Sequence, residues 1–153
     1  MQVVGIIAEY NPFHHGHEFQ IAAVRRQYPG AHVIAVMSGS FTQRGGPCIL
    51  DKWTRARHAV TGGVDLVLEL PFVFVCRSAQ DFARGGISLL SQLGIVRHLA
   101  FGMEAETLEP LVRLAAQIDS DAVQERLCKY IGDGLSYAGA LTRALIAETN
   151  TSE

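Results

Sequence analysis

The sequence predicts an α/β fold: a parallel sheet with helices on both faces, followed by a helical C-terminal part. Three observations predict it. Short apolar runs alternate with stretches of helical period, the order expected of β-α-β units. The runs are apolar throughout, as strands buried on both faces should be. After residue 102 nothing reads as a further strand, and only helical periods remain. With 153 residues the chain can bury a core of its own, and 48% apolar against 18% charged residues excludes a disordered composition.

Each element follows in order. VVGIIA (3–8) has the pattern of a buried first strand. HHGHEFQIAAVRRQY (14–28) places Phe19, Ile21, Ala22 and Val24 at helical spacing. HVIAVM (32–37) is a second strand, and SGSFTQRGGPCIL (38–50) is a long Gly-rich loop. DKWTRARHAVTGG (51–63) is a helix with Asp51 as N-cap and Gly62-Gly63 as its stop. DLVLEL (65–70) is a third strand ended by Pro71, and SAQDFARGGISLLSQLG (78–94) is a helix entered through a Ser cap. VRHLAFG (96–102) is a fourth strand. TLEPLVRLAAQI and DAVQERLCKYIGDGLSYAGALTRALIAE supply two or three further helices, and the polar ETNTSE end should fray.

Several classes of function are excluded. No apolar run approaches the roughly 20 residues that span a bilayer, so no membrane partner is expected. The N-terminus lacks a basic n-region and a cleavage site and reads as a strand rather than a signal peptide. Cys48, Cys76 and Cys128 are widely spaced and odd in number, which suits free thiols in a reducing cytoplasm. The charge is uneven. Residues 1–100 hold nine Lys and Arg against six Asp and Glu, and residues 101–153 hold four against nine. A small anionic ligand near the histidines of the basic part fits this better than a broad nucleic-acid footprint does.

The chemistry concentrates at NPFHHGH, between the first strand and the first helix. In open α/β sheets ligands bind at the carboxyl ends of strands. A helix N-terminus there offers partial positive charge and free N–H groups to a phosphate. Gly16 permits close approach of a ligand to the backbone, and Pro12 stiffens the turn. His14 and His17, three apart, share one helical face and can donate to a phosphate, or stabilise its developing charge when protonated. His15 points elsewhere. Metal ligation by this pair lacks a third ligand, and a structural cluster is the remaining alternative.

These residues carry a resemblance. GIIAEYNPFHHGH resembles the H-x-G-H signature of the nucleotidyltransferase superfamily, which uses a Rossmann-like fold of the HUP type. MSGSFTQRGGPCILDKWTRARHAVTGGVDLVLELP, SAQDFARGGISLL and LAFGMEAE resemble, in order, blocks of the tRNA(Met) cytidine acetate ligase family. The resemblance implies a nucleotidyltransferase-like Rossmann domain over residues 1–103, with 104–153 as a helical extension of the same domain. It implies a cytoplasmic, adenylate-forming ligase that uses ATP, with Mg²⁺ inferred from ATP chemistry. Acetate would attack the α-phosphate, and the acetyl group would pass to N4 of the wobble cytidine of elongator tRNA(Met). The ATP segment would comprise Ile7, Ala8, Glu9, Tyr10, Asn11, Pro12, Phe13, His14, His15, Gly16, His17, Glu18, Phe19 and Gln20, with Gly102 beyond the fourth strand. His14 and His17 would act at the α-phosphate and leaving group. Lys52 would hold phosphate or the second substrate. Family members continue past this length into a helical region that grips tRNA, and no role is carried over to Asn150. Two alternatives stay open: adenylylation of a small phosphorylated acceptor such as a phosphopantetheine or nicotinamide mononucleotide, or nucleotide binding without turnover.

Outside the motif, Arg44 sits in a loop able to close over phosphates, and Ser38, Gly39 and Ser40 either supply donors there or form a plain turn. Arg55 and Arg57 line a basic rim or, for at least one of them, solvate a helix face. Glu69, within an apolar strand, should pair with Lys52 or an arginine, and Glu9 should orient one of the histidines. His32, His58 and His98 read as structural or surface residues.

Overall fold

The computed structural model describes residues 1–103 and 107–149. The chain forms two compact units, Met1–Gly102 and Met103–Glu153.

The first unit is the predicted α/β sheet. β1 (Val3–Ala8), β2 (His32–Ser38), β3 (Leu66–Leu70) and β4 (His98–Leu99) stand in the order β3-β2-β1-β4, all parallel. Between them run α1 (His15–Gln27), α2 (Lys52–Thr61), α3 (Phe72–Val75) and α4 (Ala79–Gln92). Alternate strand residues face opposite layers, because side chains on a strand alternate. Val4, Ile6, Val33, Ala35 and Met37 pack with Ile21 and Val24 of α1 and Ala59 of α2. Val3, Ile34, Val36 and Leu70 pack with Val75 of α3 and Leu90 of α4. Helices thus cover both faces of β1 and β2, which is why those strands are apolar throughout their interior, while the edge strand β3 leaves Leu66 and Glu69 exposed. On the second face α4 lies close to the sheet: a Cβ on Gly86 would sit 2.7 Å from Ile7 Cδ1.

The caps follow the sequence. Asp51 Oδ1 accepts from Thr54 N at 3.0 Å and Ser78 Oγ accepts from Asp81 N at 3.0 Å, each satisfying an orphan donor of a first helical turn. Two elements differ from expectation. β4 covers only His98–Leu99 instead of 96–102, paired with Val4 and Gly5 of β1 at the sheet edge. Phe101, expected inside the strand, is 54% exposed. Beyond Pro71, one unforeseen helical turn, α3, carries Val75 into the core.

The second unit contains α5 (Glu109–Ile118), α6 (Asp121–Gly132) and α7 (Tyr137–Thr149). Val123 and Leu127 of α6 meet Ala140 and Ala144 of α7, where small residues let the two helices approach. Arg126 pairs with Glu148 across them. Helix α7 runs through Glu148 and Thr149, where fraying was expected. Residues 104–106, and the tail from Asn150 on, lie outside the described residues.

Candidate functional site

The strand order fixes where a ligand can sit. β1 is followed by β2 on one side and has β4 on the other, so the strand order reverses between β1 and β4. The carboxyl end of β1, the turn Glu9–His14 and the first turn of α1 lie at this crevice, and Gly102 follows β4 across it. Gln20 of α1 donates from Nε2 to Ala100 O at 3.4 Å, joining the two sides. A Cβ on Gly102 would meet nothing within 4 Å, so this backbone faces open space.

The turn is held by aromatic packing. Tyr10 takes a left-handed backbone conformation (φ 48°) that points its side chain inward, where it is 1% exposed. Its ring meets Phe13 edge-on at 5.1 Å and His17 at 4.8 Å. Burial pushes the Tyr10 phenol up to about 12, so it stays protonated at neutral pH. Phe13 in turn lies over Gly62 at the end of α2, where a Cβ would come within 2.4 Å of its Cζ.

The H-x-G-H residues form a reciprocal cap. His14 is the N-cap of α1, outside the helix proper, with extended backbone (φ −148°). Its Nδ1 accepts from Gly16 N at 3.0 Å, and His17 Nδ1 accepts from His14 N at 3.2 Å. This is a capping box in which two imidazoles replace the usual hydroxyl and carboxylate. The two rings lie 3.8 Å apart between centroids. A nitrogen that accepts carries no proton, so the hydrogen-bond pattern assigns both rings the neutral tautomer with Nε2–H free to donate. Burial, and then the neighbouring His14, hold His17 below the usual imidazole range. This corrects one expectation: the Gly16 N–H is taken up by His14 and is not free for a phosphate. A proton on the Nδ1 of either ring would abolish its cap. Gly16 leaves room for the His14 ring, since a Cβ there would stand 2.9 Å from His14 Cε1.

His15 is fully exposed and pairs with Glu18 Oε2 at 2.7 Å, away from the capping pair as expected. Phe19 is exposed under Arg26, while Pro12 lies at the surface and Asn11 is half-buried. Ile7 and Ala8 end β1 half-buried.

The Gly-rich loop is pinned against this turn by residues that were read differently in the sequence. Glu9 orients no histidine; its Oε1 accepts from Gln43 N at 2.5 Å. Asn11 Oδ1 accepts from Ile49 N at 2.8 Å. Arg55 is fully buried rather than solvating α2. Its guanidinium donates to the carbonyls of Leu50 and Ser38, each at 3.1 Å, and to those of Glu9 and Gly39. One cation therefore ties together the ends of β1, β2 and the loop, its fixed fork of donors matching several acceptors at once. The available signal was its spacing of four from Ala59, which shares the core-facing side of α2. Arg57 stays exposed.

Lys52 Nζ meets Glu69 Oε2 at 2.6 Å, the pairing the sequence suggested, and Glu69 lies against Gly39, where a Cβ would be 2.3 Å from Oε1. Ser38 is fully buried, its hydroxyl without a partner, and Arg44 is exposed at the loop tip between Thr42 and Gly46. No cluster of three or more His, Cys, Asp or Glu suited to a metal occurs among the described residues. No described helix is long and apolar enough to cross a membrane.

Comparison with known proteins agrees with this architecture. The chain is 42% identical over 148 residues to the tRNA(Met) cytidine acetate ligase of Alkaliphilus metalliredigens, and 46% identical over 155 residues to that of Exiguobacterium sibiricum. These alignments cover 95% and 99% of the chain but only 35% and 40% of the relatives' own length. Among solved structures it resembles Thermotoga maritima TmcAL bound with alpha-thio ATP, with a TM-score of 0.88 and 39% identity over 99% of this chain and 37% of that one. A model of the HIGH Nucleotidyl Transferase family matches residues 1–153. The chain, with its imidazole capping box at the carboxyl end of the first strand, therefore belongs to the HIGH nucleotidyl transferase family.

Proposed function

We propose that this chain binds ATP at the β1–α1 turn and activates acetate as acetyl-adenylate, the first half of an acetate–tRNA(Met) ligation. The observation that carries the reading is the pair of capped imidazoles, whose Nε2–H groups are the donors left for a ligand. The names of its relatives and the nucleotide of the solved neighbour supply the substrate class.

The chemistry asks little beyond placement and charge stabilisation. An acetate carboxylate is ionised at neutral pH and needs no general base. Its oxygen bonds to the α-phosphorus, the bond from phosphorus to the bridging oxygen breaks, and pyrophosphate leaves. His14 and His17 donate to the α-phosphate oxygens and the leaving group as charge shifts onto them. Because both rings are held by their own caps through Nδ1, their Nε2 sides cost little reorganisation when the transition state forms. In this reading the segment Ile7–Gln20 and Gly102 flank the nucleotide, and Lys52 and Arg44 supply the cations for the phosphates or the second substrate. With no acidic cage among the described residues, no step is assigned to Mg²⁺. In the second half the N4 amine of the wobble cytidine of elongator tRNA(Met) attacks the acetyl carbonyl and AMP leaves.

Exchange of labelled pyrophosphate into ATP tests the reading. The expected result is exchange that requires acetate. Exchange dependent on a phosphorylated acceptor instead, or nucleotide binding with no exchange, overturns it.

A further inference from the structure

A small pocket lies beside this site, at the carboxyl ends of β2 and β3. It encloses about 160 Å³. Phe41, Leu70, Phe72 and Val75 form its apolar wall, in which the Phe41 and Phe72 rings meet edge-on at 5.4 Å. Gly39 and Ser40 bring backbone to it, and Glu69 is its one charged lining group. Lys52 binds Glu69 at 2.6 Å and lies 5.3 Å from the centre of the Trp53 ring.

We infer that this pocket is the acyl subsite: it receives the short alkyl end of a small monocarboxylate, whose carboxylate meets the Lys52 ammonium. The inference rests on the acid-activating reading above. Size carries the first part of the argument. A pocket of about 160 Å³ walled by apolar side chains has room for the short alkyl end of such an acid. Chemistry carries the second part. An apolar wall with a single ion pair fits a molecule with one charge and one alkyl end. An ammonium has three donors and Glu69 occupies one of them, so others remain for an incoming carboxylate. Glu69 holds Lys52 in place, and its own charge keeps the affinity for another anion weak, as a substrate that must move on to an adenylate requires. Position carries the third part. The pocket opens at the same edge of the sheet as the capped histidines, one strand beyond β1, and Arg55 fixes Gly39 of its lining to Glu9 of the nucleotide turn.

Trp53, the sole tryptophan, reports on Lys52 directly. Its fluorescence is titrated with sodium acetate, propionate, butyrate and hexanoate at constant ionic strength, with and without α,β-methylene ATP. Saturable responses are expected, with affinity rising about fourfold per buried methylene through the short acids and falling at hexanoate. Phe41→Ala should shift the optimum to longer acids and Ser40→Leu to shorter ones, with both variants melting like the parent. Responses that do not saturate, or a chain-length order unchanged in both variants, overturn the subsite. The two readings fail separately. If acids bind in the expected order but acetate-dependent exchange is absent, the activation reading falls and the subsite stands. If exchange requires acetate but neither variant changes which acids support it, the subsite alone falls.

Discussion

Gly16→Ala separates the two roles of the H-x-G-H turn. The new Cβ would stand 2.9 Å from His14 Cε1 and 3.0 Å from Nδ1, closer than a side-chain carbon tolerates, so the imidazole must move. The obstacle is the end of an exposed side chain rather than backbone, so the protein can yield there at little cost. Alanine in place of glycine within a helix gains about 0.5–1 kcal/mol. Loss of an N-cap hydrogen bond costs about 0.5–2 kcal/mol. The two nearly cancel, leaving a net change of about 1 kcal/mol or less, which for a chain of this length moves Tm by about 4 °C at most. Catalysis has no such compensation, because a donor displaced by about 1 Å forfeits on the order of 10²-fold in rate. Thermal melting and acetate-dependent pyrophosphate exchange, run on the same preparation, measure both. A variant that melts like the parent and exchanges at the parental rate refutes the claim that Gly16 exists to seat the His14 ring. A variant that loses more than about 3 kcal/mol of stability refutes the cancellation worked out here.

Other outcomes follow from the same geometry. Arg55→Met leaves buried carbonyls at Ser38 and Gly39 without their donor; at about 1–3 kcal/mol for each unsatisfied group, urea unfolding should show a loss of about 3 kcal/mol or more, whereas Arg57→Met should change stability by less than about 0.5 kcal/mol. His17 has its folded-state pKa held below the unfolded value of 6.5, so the unfolded chain takes up the proton first as pH falls. The stability from its neutral form is complete above pH 6.5 and is lost as pH drops from there through the lowered folded value; melting between pH 7.5 and 5 should show this decline, and His17→Asn should reduce it. Glu9→Gln, which weakens the acceptor for Gln43 N without altering size, should raise proteolytic cleavage in residues 39–50 while leaving the melt of the sheet within about 1 kcal/mol.

Much of this arrangement was legible in the chain. The runs at 3–8 and 32–37 gave their strands because both faces are buried, so continuous apolar residues leave little ambiguity, and the run at 65–70 gave an edge strand with Leu66 and Glu69 exposed. Asp51 and Ser78 stood where caps belong, and Glu69 was readable as a partner for Lys52 because a carboxylate in an apolar strand needs one. What was not legible depended on the third dimension. Arg55 looks like its neighbour Arg57 until the loop folds over α2 and presents carbonyls to it. Glu9 was assigned to the nearest histidines along the chain, yet its partner is Gln43, brought in by that loop. β4 pairs with β1 over only two residues, at Val4 and Gly5, which local pattern does not reveal. The spacing of His14 and His17 was visible, but it was read as a shared helical face. His14 lies outside the helix, and the same three-residue spacing serves a reciprocal cap that fixes both tautomers.

The most direct measurement is ATP–pyrophosphate exchange by this chain and by its His17→Ala variant, each with and without acetate. The account predicts exchange in the parent only when acetate is present, and a loss of at least about 10²-fold in the variant while ATP still binds. Exchange that ignores acetate, or that persists at the parental rate without the His17 imidazole, would contradict it.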